Sequence, residues 1–207
     1  MQTDLFGHIE KSKTDISIEL ASEIKGLELY PNFISQKEEK ELINSIDNSP
    51  WLNDLKRRVQ HYGYKYDYRA RKIDNSLYLG KLPSWSKFIY TKMIDEKIID
   101  FIPDQAIINE YETGQGISSH IDCEPCFGDV IISLSLNSSC VINFEKELNS
   151  KHKIGIFVEP KTLLVMKKES RYEWFHGIPQ RKSDKFNNET TKRERRISIT
   201  FRKVITE

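Results

Sequence analysis

From Pro103 onward the chain is written as a series of short strands. Runs at 106–111, 129–136, 140–144, 154–158, 162–167 and 197–204 are β-branched or apolar, and turns rich in Gly, Asn, Pro or Lys separate them. Many short strands with regular turn signals bury their apolar faces by stacking or closing sheets, so this half predicts a sandwich or jelly roll. The first hundred residues read differently. A short strand is expected at 27–30, closed by Pro31. Ser35 and Glu38 have capping-box spacing, and Leu42, Ile43 and Ile46 then share one helical face, which predicts a helix over 37–47 ended by Pro50. A second helix is expected over 84–99, with Trp85, Phe88, Ile89, Met93 and Ile94 buried. Residues 1–25 are polar and weakly patterned and read as an extended or mobile arm, which leaves 26–207 as one domain.

The 207 residues suffice for one sizeable core. Lys and Arg total 32 against 31 Asp and Glu, so a net charge of +1 demands no polyanion, and a nucleic-acid footprint would have to be a local patch. No apolar run approaches the ~18 residues of a membrane span, and the N-terminus lacks the apolar stretch of a secretory signal. A cytoplasmic chain is expected, cytosolic or nuclear, and nothing calls for more than a monomer. The three cysteines, Cys123, Cys126 and Cys140, are an odd count and predict reduced thiols. Zinc or redox use of Cys123-Glu-Pro-Cys126 would call for a second C-x-x-C or a following helix signature, and neither is present. The segment 181–196 holds seven basic and three acidic residues and reads as an exposed loop.

Three residues in the β half have metal-ligand chemistry. His120 and Asp122 alternate onto one face of an extended segment, and His176 follows 54 residues after Asp122. Two imidazoles and a carboxylate make the facial triad that holds non-haem Fe(II) with positions left open. Each has a plainer reading: His-x-Asp as a surface turn after Gly114-Gln115-Gly116, and His176 as an interior histidine between Trp174, Phe175 and Ile178. In 196–202 the residues alternate strictly, with Ile197, Ile199 and Phe201 on one face and Arg196, Ser198, Thr200 and Arg202 on the other. That polar face fits either a solvated surface or a cavity wall. In a cavity the two guanidiniums would need anions, and a small dicarboxylate supplies them. Asn109 and Tyr111 alternate in the same way just before the His-x-Asp segment. The stretch 56–79 is rich in tyrosine and arginine. Tyr62 and Tyr64 there fit either base stacking or sheet packing, and Arg57, Arg58, Arg69, Arg71 and Lys72 fit either phosphate contacts or a solvated basic face.

These motifs resemble the AlkB family of Fe(II)/2-oxoglutarate dioxygenases. The resemblance runs from about Arg57 to Val204 and is densest in INEYETGQGISSHIDCEPCFGDVIISLSL, LLVMKKESRYEWFHGI and RRISITFRKV. It implies an α+β, mainly β fold: a double-stranded β-helix (jelly roll) with N-terminal helices packed on one sheet. It further implies that His120, Asp122 and His176 ligate Fe(II), and that Arg196, helped by Tyr111, pairs with the distal carboxylate of 2-oxoglutarate. Arg202 and Asn109 would lie near the keto-acid end, while Ser198 stands where many members carry asparagine. O₂ would be the second co-substrate, and oxidation of an N-methyl group would release formaldehyde. His61-Tyr62-Gly63-Tyr64 looks like the segment that covers substrate. Glu124 occupies a position where repair members often place an acid that reads the damaged base. HID, SLSL and SRYEWFHGI, with Arg171 five residues before His176, are most similar to the branch that includes animal proteins acting on wobble uridine in tRNA, and the resemblance implies that Arg171, like Tyr62, Tyr64 and Glu124, contacts substrate. No part of these residues resembles the RNA-recognition or methyltransferase domains of those proteins, and small bacterial members of the branch act on alkylated nucleic acids. The expected activity is oxidative demethylation of N-alkylated bases in single-stranded DNA or RNA. The alternatives are hydroxylation of a modified tRNA wobble uridine, and demethylation or hydroxylation of a protein.

Overall fold

The computed structural model describes residues 11–53, 55–68 and 70–206. Two antiparallel sheets face each other. The larger has the order β1 (Leu27–Tyr30), β8 (Leu163–Met166), β5 (Phe127–Leu136), β12 (Arg196–Val204), β3 (Gln105–Tyr111) and β2 (Val59–Tyr62). The smaller has the order β4 (Ile117–His120), β9 (Phe175–Ile178), β6 (Cys140–Glu145) and β7 (Ile154–Val158). This is the expected jelly roll with a mainly β composition.

Strand alternation builds two cores from one sheet. Ile132 and Leu134 of β5, Leu163 and Val165 of β8, and Ile197, Ile199 and Phe201 of β12 turn outward against helices α2 (Gln36–Asp47) and α3 (Lys87–Asp95). The helices answer with Leu42, Ile46, Ile89 and Met93, all buried. The opposite faces of the same strands look toward the smaller sheet, where Ile131, Leu164 and Met166 meet Cys140, Ile142, Phe144, Ile156 and Val158. The polar residues of β12 are therefore not a wet face: Arg196 is 3% exposed and Arg202 9%.

Several expectations are corrected. The polar N-terminal segment contains a helix, α1 (Lys13–Ser22), started by a Ser12–Asp15 capping box. It packs on β7, and Ser17 Oγ accepts a hydrogen bond from the Phe157 N–H. Its buried residues, Ser17 and Ala21, are small and not strongly apolar, so it leaves little amphipathic trace. Helix α3 ends at Asp95, short of the predicted 99, because Lys97 turns to φ 57° and sends Ile98 and Ile99 into the core. The expected loop at 181–196 is largely a hairpin, β10 (Ser183–Phe186) and β11 (Glu189–Lys192). Cys123 and Cys126, whose Cα atoms lie 5.3 Å apart across one turn, are joined as a disulfide instead of being reduced, and Cys140 is free and buried. No helix among the described residues is long and apolar enough to cross a membrane.

The hairpin is held by a buried ion cluster. Asp184, 1% exposed, accepts hydrogen bonds from Arg193 Nε and Nη2, from Arg181 Nε and from the Val141 N–H. Burial alone would raise its pKa, but these donors outweigh it and hold the carboxyl below its ordinary value. A carboxylate depressed on folding stabilises above its unfolded pKa of ~3.9 and loses that contribution as pH falls through the lower folded value. Asp184→Ala should cost about 3–5 kcal/mol at pH 7 in urea denaturation, because Arg193 is left buried without its anion. The variant should also lose less stability than the parent on acidification below about pH 4.

Candidate active site

Pairing of β4 with β9 is what joins residues distant in sequence. His120 stands directly opposite His176, and their rings lie 4.5 Å apart. The two strands approach closely because Gly116 and Gly177 carry no side chain: a Cβ at Gly116 would sit 2.1 Å from the Ile178 carbonyl oxygen, and one at Gly177 2.8 Å from the Ser119 nitrogen. Ser119 is tied by its hydroxyl to buried Glu145 at the end of β6. Asp122 follows β4 by two residues, and its Oδ2 lies 3.7 Å from His176 Nε2. One potential ligand atom from each of His120, Asp122 and His176 falls within 4.8 Å of the others.

Each member is prepared for a cation. His120 Nδ1 lies 2.8 Å from the Ser118 carbonyl; as the donor there, it leaves Nε2 as the ligand. Burial, and next His120, push the His176 pKa down to about 3, so its imidazole is neutral at physiological pH. Burial works against ionisation of Asp122, yet Arg202 foremost, then the two histidines, hold it well below the carboxylate range. Arg202 Nη2 donates to Oδ1 at 2.7 Å, which leaves Oδ2 toward His176. Behind Asp122, Arg171 is 2% exposed and donates to the carbonyls of Asp122, Cys123, Phe127 and Gly128. It fixes the loop that carries the ligand and does not reach the cavity lining.

The triad opens on a cavity of about 570 Å³, within the range of small-ligand sites. Asn109, Tyr111, Arg196, Ser198 and Arg202 all line it, with Ser133, Thr200, Tyr66, Tyr68, Arg57 and Arg71. Arg196 Nη2 donates to Ser135 Oγ at 2.6 Å, while its Nε and Nη1, and Nε of Arg202, are buried without a partner. Buried guanidinium N–H groups need acceptors, and a dicarboxylate fits the donor set. Ser135 and Gln105, which bonds Arg202 Nη1, were absent from the sequence reading. The Ser133-Leu134-Ser135-Leu136 alternation beside β12 carried a signal for the serine.

Four residues expected to contact substrate lie outside the cavity lining: Arg171, which stands behind Asp122, and three others. Tyr62 is on the helix side of the larger sheet, edge-on to Trp85, with its hydroxyl donating to Gln60. Tyr64 meets Tyr78 with the two rings tilted by 53°, outside the cavity lining, and Glu124 is exposed on the disulfide turn. Gly63, at φ 77° and with its α-carbon against the Asp104 carbonyl, changes the face of the chain, so Tyr66 and Tyr68 reach the cavity instead.

The sequence model of the 2OG-Fe(II) oxygenase superfamily matches residues 26–202. This chain belongs to that superfamily. Within it the chain is an AlkB-family dioxygenase close to the ALKBH8 branch, and the family's Fe(II), 2-oxoglutarate and O₂ are its cofactors. An uncharacterized protein of Acanthamoeba polyphaga mimivirus, L905, is 38% identical over 90% of this oxygenase and 89% of its own length. The Arabidopsis thaliana "Alkylated DNA repair protein ALKBH8 homolog" is 36% identical over 87% of this chain and 59% of its own. The mouse "tRNA (carboxymethyluridine(34)-5-O)-methyltransferase ALKBH8" is 39% identical over 86% of the chain. The match spans only 30% of that mouse protein. The OsALKBH1 structure superposes with a TM-score of 0.65 at 16% identity, covering 86% of this chain and 96% of that one, which shows the shared fold.

Arg171→Met removes the four-carbonyl clasp behind Asp122. It should weaken Mn(II) binding about 10–100-fold in titration calorimetry, as loss of an outer-shell support does, with the far-ultraviolet dichroism of the sheets retained. Unchanged affinity would mean that the loop holds Asp122 unaided.

Proposed function

We propose that this oxygenase oxidatively removes alkyl groups from N-alkylated nucleobases in single-stranded DNA or RNA. One observation carries the reading: the cavity at the triad is lined both by aromatic rings, Tyr66 and Tyr68, and by cations, Lys56, Arg57 and Arg71. A base reaching that depth must leave its stack. The two tyrosines offer it a stacking surface, worth ~1–3 kcal/mol per base, and the exposed Lys56 and Arg71 suit the flanking phosphates.

In this reading His120, Asp122 and His176 hold the iron, which when loaded with 2-oxoglutarate and O₂ supplies the oxidising power. Arg196 holds the distal carboxylate beside Tyr111, and Asn109 and Ser198 line the same pocket. Arg202 keeps Asp122 ionised and oriented. The half-buried walls exclude bulk water from the reacting carbon while Tyr66 and Tyr68 position the base. The names of two relatives favour dealkylation: the Arabidopsis repair protein above, and a Caenorhabditis elegans "DNA N6-methyl adenine demethylase" at 29% identity. A second reading, hydroxylation of a modified wobble uridine in tRNA, draws on the mouse relative named for a tRNA carboxymethyluridine activity. Glu124 lies outside the cavity lining, which removes one support for base reading by an acid.

The test is mass spectrometry after incubation with Fe(II), 2-oxoglutarate and ascorbate. One set of tubes holds single-stranded oligonucleotides with one N-methylated base each, 1-methyladenine and 3-methyluracil among them; another holds tRNA. Loss of a methyl mass from at least one of the oligonucleotides, absent with His120→Ala, is the expected result. Gain of one oxygen on a tRNA uridine would select the second reading. Unchanged nucleic acid, with succinate still formed, would overturn both.

A further inference from the structure

The cavity is lined by more cations than its assigned anions use. Arg202 is paired with Asp122, and Arg196 lies where the distal carboxylate of the co-substrate is proposed to sit. Arg57 is left. It precedes β2 by two residues, and the register that sets Val59 opposite Asn109 continues through a bond from the Glu110 N–H to the Arg58 carbonyl. Arg57 thus falls opposite Tyr111, which has Arg196 on its other side. The row runs Arg57, Tyr111, Arg196 across three strands, with guanidinium carbons 5.8 and 5.6 Å from the tyrosine ring centre. Arg57 Nε donates to Asn109 Oδ1 at 2.7 Å, which fixes the plane of the fork.

Its neighbours in sequence and space have carboxylates: Arg58 pairs with Glu110, and Arg195 with Glu110 and Asp47. Among the described residues, no ion pair involves Arg57. Its two terminal nitrogens have no bonding partner there either. It lines the cavity together with Leu55 and Lys56, at the edge strand of the larger sheet. A base held by Tyr66 and Tyr68 above the triad would meet this half-buried, immobilised fork.

A fixed guanidinium discriminates by chemistry. It donates to adjacent acceptors and has none to offer. A uracil-type base alkylated at N3 is neutral and keeps two carbonyl oxygens, one on each side of the alkyl group, either of which can accept from the fork. An adenine alkylated at N1 is cationic near neutral pH and carries its exocyclic nitrogen on the same edge, so it brings positive charge to positive charge. We propose that Arg57 is the specificity-determining residue of this site, accepting neutral, carbonyl-edged bases and rejecting cationic alkylated ones. The proposal rests on the nucleobase reading above and says which bases the site takes.

Binding separates the two claims without turnover. Labelled single-stranded RNA with one central 3-methyluridine, or one central 1-methyladenosine, is titrated into protein loaded with Mn(II) and 2-oxoglutarate, and Kd is read by fluorescence anisotropy. The parent protein should favour 3-methyluridine by about 10–100-fold, the discrimination expected of a hydrogen bond from a charged donor to one carbonyl. Arg57→Gln keeps an amide near Asn109 and removes the charge; it should bring the ratio close to one, mainly by weakening the methyluridine complex. Arg57→Lys keeps charge without the fork and should fall between, which guards against a folding defect in the glutamine variant. Equal weakening of both RNAs, or a ratio that stays at the parent value, would overturn the role of Arg57 and leave the nucleobase reading in place. No preference of the parent for either methylated RNA over the unmodified strand would overturn both.

Discussion

Strand β12 is buried on both faces, and most of the molecule is arranged around that constraint. Its apolar side has to be covered, and α2 and α3 cover it. Its other side carries Arg196, Ser198, Thr200 and Arg202, which cannot be packed against hydrocarbon without acceptors. A second sheet placed directly on that face would bury the guanidiniums unpaired. The smaller sheet instead stands off far enough to leave a cavity, and its contribution at that depth is a carboxylate and two imidazoles. The space for chemistry is therefore a consequence of where charge sits on one central strand.

Electrostatics inside the cavity are organised in layers. Arg171 binds only backbone carbonyls and so shapes the loop behind Asp122, while Arg202 binds the Asp122 carboxylate itself. Arg196 has two nitrogens without acceptors at the far end. The arrangement divides the work of one residue type. One arginine supports backbone, one orients a ligand, and one waits for an anion. The same side chain serves all three because its fork geometry, more than its charge, decides what it can hold.

Most of the fold was legible because period-two alternation and turn chemistry are strong where strands are central and long. Strands β3, β5, β6, β7, β8 and β12 lie within a residue or two of their expected limits. The polar face of β12 was legible for the same reason, whereas His120, Asp122 and His176, which the structure brings together, stood out by their side-chain chemistry and by the family resemblance. The parts that were not legible share a physical cause: their burial is not apolar. Strands β4 and β9 consist of Ile-Ser-Ser-His and Phe-His-Gly-Ile, which have little strand signature without each other. The hairpin after Gln180 looked like solvated charge because Asp184 and Arg193, both buried, satisfy one another. The tyrosines of 62–68 share one phase in sequence, and the left-handed Gly63 lies between Tyr62, which faces the helices, and Tyr66 and Tyr68, which line the cavity. A single backbone dihedral undid a pattern that a continuous strand would have kept.

Helix α1 has a consequence of a different kind. The smaller sheet ends at β7, whose outer row of peptide groups would otherwise lie open to another chain. A bare edge of that sort is a template for strand addition and aggregation. Here α1 packs over it, and Ser17 takes up the Phe157 N–H that a foreign strand would seek. The helix that is hardest to see in the sequence thus acts as a guard on solubility, shielding the sheet edge from other copies at the crowding found in a cell.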